Sequence, residues 1–228
     1  MKHYLNIIKN KINNLKKDRQ YLKIYNKYVD YTMIPPATYQ GNLALCEKYR
    51  HIEGAIVECG VWRGGMIAGM ADILGSTRSY YLCDSFEGLP PAKQIDGEAA
   101  LQWQRETHSP IYFDNCKAEI DFATKAMQIS PAGKVEMIKG WFSETLNNLR
   151  LEEGIAILRL DGDWYESTME CLTALYPRVN CGGLIIIDDY YVWDGCARAV
   201  HDYLSEKNLP IRIRQHISGV CFMVKPSE

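Results

Sequence analysis

The sequence predicts an α/β fold with a mainly parallel sheet, and two observations carry this prediction. Short apolar strand patterns alternate with helical patterns through most of the chain, as expected for strand–helix–strand units. Several of these strands end in a glycine-rich turn or in acidic residues, and open α/β sheets bind ligands at the carboxyl ends of their strands. We predict seven strands, of which the last two, 211–214 and 220–224, form a closing hairpin with one antiparallel edge strand.

The composition is that of a globular protein rather than a disordered or fibrous one. Of the 228 residues, 47% are hydrophobic and 24% are charged, and the formal net charge is −2. No apolar run approaches the roughly 20 residues of a membrane span, and the basic N-terminus lacks the apolar core of a signal peptide. We therefore expect a cytoplasmic protein without a membrane span or a nucleic-acid partner. The eight cysteines form no CxxC pair, which favours reduced structural cysteines over a metal site but leaves a catalytic cysteine open.

We divide the chain into a basic helical segment with its linker, residues 1–38, and one domain, residues 39–228. Residues 1–31 have helical apolar spacing and a net charge of +6, so the remainder of the chain carries −8. A helix of this kind packs on its own domain or on a second subunit, and we consider a homo-oligomer through the N-terminal helices. The alternative is a surface that meets acidic lipid headgroups or a lipid-linked substrate.

The first strand, 55–60, leads into a turn that can bring backbone N–H groups close to a ligand. The turn, 61–65, is glycine-rich, and a helix pattern follows it. Asp84 ends the next strand, 24 residues after Gly60, which is the place of an acid that binds ribose hydroxyls. No GxGxxG or GxxxxGK[ST] motif occurs, so a pyrophosphate ligand is disfavoured.

Glu58, which precedes the turn, further restricts the kinds of ligand that the turn could bind. A carboxylate there would repel phosphates but suits a ligand with an amino group and a positive charge, and S-adenosylmethionine has both. Structural alternatives stay open, because Glu58 could pair with Arg63 or cap backbone groups, and Asp84 could cap a helix.

Two further strand ends carry paired acids, Asp161-Gly162-Asp163 and Asp188-Asp189. Parallel strands point their carboxyl ends the same way, so we expect these carboxylates to converge. Unpaired carboxylates at close range repel one another, and Mg²⁺ is the cation that oxygen-only ligands favour. Asp161 is then our choice for both a metal ligand and the general base that takes the proton of an acceptor hydroxyl. The alternative is that each acid caps the helix that follows it.

Two histidines, His108 and His201, are rival bases, although His201 lies in a helix pattern where an ordinary, partly buried histidine is expected. Residues 89–115 form the least regular stretch of the chain, with a short helix predicted around 98–105. Long loops inside a domain usually have a function. We therefore interpret residues 89–115 as a lid over the acceptor.

Together these motifs resemble the metal-dependent macrocin-type sugar O-methyltransferases, which act on antibiotic and related glycosides. The matching segments follow the family's order over residues 31–200 and are Tyr31-Thr32-Met33, Val57-Glu58-Cys59-Gly60-Val61-Trp62-Arg63-Gly64-Gly65, Asp84-Ser85-Phe86-Glu87-Gly88-Leu89-Pro90, Lys139-Gly140-Trp141-Phe142-Ser143-Glu144-Thr145-Leu146, Leu160-Asp161-Gly162-Asp163-Trp164-Tyr165-Glu166-Ser167-Thr168 and Gly182-Gly183-Leu184-Ile185-Ile186-Ile187-Asp188-Asp189-Tyr190.

The resemblance implies a Rossmann-like class I methyltransferase fold, with helices on both faces of a seven-stranded sheet. It also implies S-adenosylmethionine and Mg²⁺ as cofactors and a small-molecule or glycan hydroxyl as acceptor. Asp161 would be the catalytic residue, and the metal ligands would be Asp161, Asp188 and Asp189. The cofactor-binding residues would be Thr32, Met33, Glu58, Gly60, Val61, Trp62, Arg63, Gly64, Asp84, Ser85, Phe86, Glu87, Gly88, Trp141 and Phe142.

Within that set, residues 60–64 would hold the methionine end of the cofactor and Asp84 the ribose, while Trp141 and Phe142 would flank the adenine. The chain departs from the family at His201, which replaces an acid, and at Trp164, which replaces Met or Leu. These positions lie near the expected acceptor, so the sugar and its methylated position stay open. Two other functions also stay open: methylation of a non-sugar acceptor such as a catechol, and binding of S-adenosylmethionine without activity.

Overall fold

The strands form one mixed sheet in the computed structural model, which describes residues 2–227 and, in the first helix, side chains from residue 15 onward. The strands are β1 Ala55–Cys59, β2 Ser79–Asp84, β3 Lys134–Lys139, β4 Ile155–Leu160, β5 Val179–Ile187, β6 Arg214–Gln215 and β7 Cys221–Val224. Across the described residues the order is β3-β2-β1-β4-β5-β7-β6. Strands β1 to β5 are parallel, whereas β7 runs antiparallel to β5 and β6 antiparallel to β7. The predicted α/β fold with a mainly parallel sheet is confirmed.

Helices cover both faces of this sheet, each over its own apolar core. They are α1 Lys2–Tyr28, α2 Pro36–Tyr49, α3 Gly65–Leu74, α4 Glu98–Arg105, α5 Ile120–Gln128, α6 Phe142–Thr145, α7 Tyr165–Leu175 and α8 Asp194–Glu206. Alternate residues of a strand point to opposite faces. In β1, Ile56 accordingly joins the core beneath α1, α2, α3 and α5, while Val57 joins the core beneath α7 and α8.

The closing hairpin differs from the prediction at the edge of the sheet. The antiparallel strand β7 lies one place inside the edge, and the edge strand β6 contains only two residues. Gly182 and Gly183 interrupt the regular pairing of the neighbouring strand. They lie within β5, where the register with β4 shifts so that Ile155 pairs with Val179 and Ile157 with Leu184. Gly182 has a φ of +78°, which a bulge accommodates and an ordinary strand residue does not.

The described part of α1 packs on the domain rather than standing apart from it. Tyr21, Ile24 and Tyr28 are buried in the same core as α2 and α3. An ion pair between Lys27 and Asp72 (2.8 Å) adds a polar contact to α3. The opposite side of the helix exposes the apolar side chain of Leu22. Association of two copies through these helices stays a prediction. Among the described residues, no helix combines the length and apolar character that crossing a membrane requires.

Candidate active site

A cavity of about 410 Å³ opens at the carboxyl ends of β1, β2, β4 and β5. It lies where the sequence predicted a ligand, at the strand ends of an α/β sheet. The lining residues are Tyr31, Thr32, Met33, Ile34, Pro35, Glu58, Gly60, Val61, Trp62, Met66, Asp84, Ser85, Gly88, Leu89, Pro90, Cys116, Gly140, Trp141, Phe142, Ser143, Arg159, Asp161, Gly162, Asp163, Glu166, Ser167, Glu170, Asp188 and Asp189.

Most residues named from the sequence as ligands of the cofactor line this cavity. Those that do not are Arg63, Gly64, Phe86 and Glu87. Gly64 instead lies against α5, where an added Cβ would come within 2.8 Å of the Ala123 Cα. Its role is therefore to let the turn pack closely on a helix.

The turn after β1, residues 60–64, depends on glycine at its first position. Gly60 has a φ of +84°, and a Cβ there would overlap the main-chain oxygen of Asp161. Only glycine combines that conformation with so close an approach of two strand ends. The turn is therefore built against β4 as well as against the cavity.

Asp84 at the end of β2 holds the same turn. Its Oδ2 atom accepts hydrogen bonds from the backbone N–H groups of Val61 (2.6 Å) and Trp62 (2.9 Å). Its Oδ1 atom accepts one from Phe86 (2.7 Å). Burial raises the pKa of Asp84, while the three backbone N–H groups oppose that shift. An ionised carboxylate offers about four lone-pair sites, so Asp84 keeps acceptor capacity towards the cavity.

Arg63 is not the partner of Glu58 that one alternative proposed. Its guanidinium lies between two aromatic rings, 4.4 Å from the centroid of Trp62 and 4.5 Å from that of Phe122. Glu58 instead contacts Arg159, with 2.8 Å between Nη1 and Oε1, and both side chains are 1% exposed. Burial raises the pKa of Glu58 to about 8, against the opposing charge of Arg159.

The paired acids converge as expected, but with a different membership. One carboxylate oxygen from each of Asp161, Asp163 and Asp189 lies within 4.8 Å of the others, and we call these three residues the acid cluster. Asp188 lines the cavity but contacts the Arg159 guanidinium at 2.6 Å. The geometry therefore favours Asp163, rather than Asp188, as the third member beside Asp161 and Asp189.

Electrostatics make the acid cluster unfavourable when all its members are ionised. Burial, and then the charge of Asp161, raise the pKa of Asp163 to about 8. Burial, and then Asp163, hold the pKa of Asp189 well above its ordinary value. Two N–H groups oppose these shifts: the Trp193 indole donates to Asp163 (2.9 Å), and the Asp163 backbone donates to Asp189 (3.0 Å), while the third member, Asp161, accepts from Arg159 (2.7 Å). Such a group of oxygen donors suits a hard divalent cation.

Residues 89–115, the predicted lid, reach the cavity through Leu89 and Pro90. The helix α4 forms at the residues predicted for it, and its Trp103 meets the rings of Trp164 and Trp193 edge-on, at 6.1 and 6.0 Å between centroids. Trp164 is almost fully buried, and its indole N–H donates to the Pro90 carbonyl (2.9 Å). Trp164, a departure from the family pattern, thus ties the lid to the start of α7.

The histidines and the cysteine that could act as alternative bases or nucleophile are poorly placed for catalysis. Among the described residues that line the cavity there is no histidine. His201 contacts the Tyr190 hydroxyl instead, at 2.8 Å. Cys116 does line the cavity, but burial, and then the charge of Asp163, raise the pKa of its thiol and disfavour the reactive thiolate.

Arg159 is the main residue that the sequence reasoning missed. A signal for it exists, since an arginine inside the apolar strand Ile155–Leu160 has to find carboxylate partners when that strand is buried. Glu166 and Glu170 of α7 were missed as well, and both add acidic side chains to the cavity wall.

Comparisons with known proteins give one consistent result. A family profile described as "Macrocin-O-methyltransferase (TylF)" matches residues 6–224. Mycinamicin III 3''-O-methyltransferase of Micromonospora griseorubida is 35% identical over 160 residues, which cover 67% of this chain and 61% of that protein. Demethyldecarbamoylnovobiocin O-methyltransferase of Streptomyces niveus is 34% identical over 159 residues, covering 67% and 59%. The matched part thus spans less than two thirds of each relative.

Solved structures show the same fold. The O-methyltransferase NovP superposes with a TM-score of 0.71 at 26% identity, covering 86% of this chain and 83% of that one. The calicheamicin methyltransferase CalS11 gives a TM-score of 0.58 at 18% identity, covering 93% and 92%, and supports the fold alone.

Proposed function

Because this chain belongs to the macrocin O-methyltransferase family, we propose that it transfers a methyl group from S-adenosylmethionine to a hydroxyl of a sugar or glycoside, with Mg²⁺ as a cofactor. The observation that carries the proposal is that the turn held by Asp84 and the acid cluster open into one cavity. The names of the curated relatives support the reaction class. The assignment of a sugar as the acceptor rests on those names together with the sequence motifs.

The donor half of the cavity fits S-adenosylmethionine by shape and chemistry. Gly60, Val61 and Trp62 of the turn line this half of the cavity, and Asp84 retains acceptor capacity for ribose hydroxyls. Trp141 and Phe142 supply aromatic walls for a flat base. When bound, S-adenosylmethionine supplies a methyl group on a positively charged sulfur. Other acidic side chains line the cavity, Asp84 and Asp161 among them, and favour a cationic ligand, whereas Arg159 neutralises Glu58.

The acceptor half fits a divalent cation, because its donors are carboxylate oxygens without cysteine or histidine. A bound cation would lower the pKa of a hydroxyl group beside it. In this proposal Asp161 accepts the proton that the acceptor hydroxyl loses, and Asp163 and Asp189 hold the charge of the cation. Asp188 stays with Arg159, which revises the ligand set expected from the family resemblance.

The test is a transfer assay with labelled S-adenosylmethionine and a panel of glycosides, nucleotide-sugars and catechols, run with Mg²⁺ and with EDTA. We expect Mg²⁺-dependent labelling of a glycoside. Asp161→Asn should lower kcat by on the order of 10²-fold or more, the usual contribution of a general base, while S-adenosylhomocysteine still binds. The surface variant Glu153→Gln should match the wild type.

Several outcomes separate the alternatives. Labelling of catechols alone would replace the sugar acceptor by an aromatic one. Full activity in EDTA would remove Mg²⁺ from the mechanism. Binding of S-adenosylhomocysteine without transfer to any acceptor on the panel would favour the binding protein without activity.

The ligand set has its own test. Asp163→Asn should raise the half-saturating Mg²⁺ concentration more than Asp188→Asn does, because an oxygen of Asp163 lies within 4.8 Å of oxygens of Asp161 and Asp189, and Asp188 is not part of that group. The reverse order would restore Asp188 to the set that the family resemblance implies.

A further inference from the structure

One face of the sheet concentrates charged side chains beneath α2 and α3. Parallel pairing places Glu58 of β1 beside Arg159 of β4, and Arg159 beside Ile186 of β5. Because side chains alternate along a strand, Asp161 and Asp188, each two residues further on, continue the same face. Arg159 therefore lies between the acid of β1 and the acids that follow β4 and β5.

Arg159 contacts four polar side chains, three of them acidic; its pair with Asp188 is an ion pair that lacks hydrogen-bond geometry. Its guanidinium contacts Glu58 at 2.8 Å, Asp161 at 2.7 Å and Asp188 at 2.6 Å. The fourth contact is a hydrogen bond from Nε to the side-chain oxygen of Asn42 on α2 (3.3 Å). Burial lowers the pKa of Arg159, but the three carboxylates outweigh this effect and hold the pKa well above its ordinary value.

The exposure of these side chains increases from the core towards the cavity. The side chains of Arg159 and Glu58 are 1% exposed, whereas those of Asp188 and Asp161 are 19% and 27% exposed. The guanidinium thus anchors each carboxylate from below, at the Oδ2 atom in the case of Asp161. An aspartate fixed through one oxygen presents the other in a defined direction.

We propose that Arg159 is a positioning residue for methyl transfer, which sets the orientation of Asp161 from beneath the cavity. The proposal rests on the base role of Asp161 given above. Arg159 does not act on the acceptor itself. It fixes the carboxylate that does, and through Glu58 it joins that carboxylate to the wall of the donor half.

A guanidinium is suited to this task and an ammonium is not. Arginine presents five N–H groups in a rigid planar fork, whereas lysine presents a compact charge on a flexible stem. Lysine at position 159 would keep the positive charge but could not hold three carboxylates in a fixed arrangement. Arg159→Lys therefore separates positioning from charge neutralisation.

The experiment compares Arg159→Lys with the wild type in folding, S-adenosylhomocysteine binding measured by calorimetry without Mg²⁺, and the kcat and KM for the acceptor. We expect a folded protein whose cofactor affinity stays within about threefold, since Asp84 holds the turn after β1 independently. Its kcat should fall by on the order of 10- to 100-fold, as a misplaced catalytic group causes. A kcat within twofold of the wild type, or a loss explained entirely by weaker cofactor binding, would overturn the proposal.

A second variant keeps the proposal testable if Arg159→Lys does not fold. Asn42 does not line the cavity and contacts Arg159 through the Nε hydrogen bond. Asn42→Ala should lower kcat by about 2- to 5-fold without a change in cofactor affinity, because it removes one long hydrogen bond (3.3 Å), weaker than one of ordinary length, and leaves the three carboxylate contacts of Arg159 in place. An unchanged kcat in folded Asn42→Ala would overturn the proposal.

The base role is checked separately with Asp161→Asn. If that variant keeps the kcat of the wild type, the base assignment fails, whatever the Arg159 variants do. If Asp161→Asn is inactive and Arg159→Lys is fully active, the base role stands and the positioning role fails.

Discussion

The turn after β1 and the acid cluster face the same cavity but are stabilised in opposite ways. In the turn, Asp84 accepts three backbone N–H bonds, and Gly60 packs against the main chain of Asp161. In the acid cluster, three carboxylates lie within 4.8 Å of one another, with raised pKa values where burial is greatest. The polar groups that shape the turn bond to one another, whereas the carboxylates of the acid cluster repel one another.

This difference indicates how the two halves respond to ligands. A preorganised turn binds its ligand with little rearrangement, and sequence changes there act mainly through shape. A group of like charges stores unfavourable energy that a cation or a proton relieves. The effects of substitutions in the cluster should therefore depend on pH and Mg²⁺, whereas the effect of a substitution at Gly60 should come from its shape.

The largest effect is expected from breaking the shape of the turn with Gly60→Ala. The new Cβ would overlap the carbonyl oxygen of Asp161 at a φ of +84°. Backbone strain of about 1–3 kcal/mol and overpacking of about 1–3 kcal/mol should both apply. We expect a large fall in the free energy of unfolding, measured by urea denaturation, and loss of S-adenosylhomocysteine binding in calorimetry.

Gly75→Ala is the matched control for that change. Gly75 has a similar φ of +89°, yet no atom lies within 4 Å of the position that its Cβ would take. Only the strain of about 1–3 kcal/mol should remain there, with cofactor binding intact. Equal losses in both variants would show that close packing against β4 is unimportant for the turn.

The second-largest effect is expected from the repulsion between carboxylates in the acid cluster, and Asp163→Asn tests it. The pKa of Asp163 is raised from 3.8 to about 8, so the folded protein keeps a proton that the unfolded chain releases. Between those values the free energy of unfolding falls as pH rises. Because an asparagine side chain cannot ionise, the variant should gain in Tm over the wild type, and the gain should grow from pH 5 to pH 8.

Scanning calorimetry at several pH values, with and without Mg²⁺, measures this gain. Mg²⁺ should raise the Tm of the wild type more at pH 8 than at pH 5, since the ionised cluster binds the cation. Glu153→Gln, an exposed acid remote from the cavity, should show neither trend. A gain in Tm that is constant across pH would contradict the raised pKa of Asp163.

Local sequence patterns predict the central elements of this fold better than the pairing at the edge of the sheet. Strand β1 forms at Ala55–Cys59, close to its predicted range of 55–60, because the glycine-rich turn marks its end, and the helix at 98–105 also forms where expected. The hairpin 211–214 with 220–224 was less well predicted, since edge pairing depends on tertiary contacts rather than local pattern.

Within the site, the sequence identifies which strand ends carry acids but not how those acids are shared. Asp188 and Asp189 are neighbours in the chain, yet Asp188 continues the face of Ile186 and meets Arg159, whereas Asp189 joins Asp163. Strand periodicity contains part of this information once Arg159 is recognised as a buried cation. The closeness of Asp163 depends on the conformation of the loop after β4, where its φ is +58°.

The smallest effect isolates a single hydrogen bond to the acid cluster. The Trp193 indole donates to Asp163 at 2.9 Å, while its ring packs edge-on against Trp164 at 5.2 Å between centroids. Trp193→Phe keeps most of the aromatic packing and removes the donor, so the orientation of Asp163 is lost. We expect the half-saturating Mg²⁺ concentration in the transfer assay to rise by about 10-fold, as loss of a hydrogen bond to a charged group, worth about 1.5 kcal/mol, predicts.

Trp103→Phe provides the same chemical change away from the cluster, because the Trp103 indole donates to the Ile111 carbonyl at 3.0 Å. That variant loosens the lid by one neutral hydrogen bond, worth about 1 kcal/mol, and should leave the Mg²⁺ dependence unchanged. If the two variants shift the half-saturating Mg²⁺ concentration equally, the aromatic lid as a whole supports the site. If only Trp193→Phe shifts it, the indole N–H of Trp193 orients Asp163 for the cation. The ring contact with Trp103 then helps to hold that donor in position.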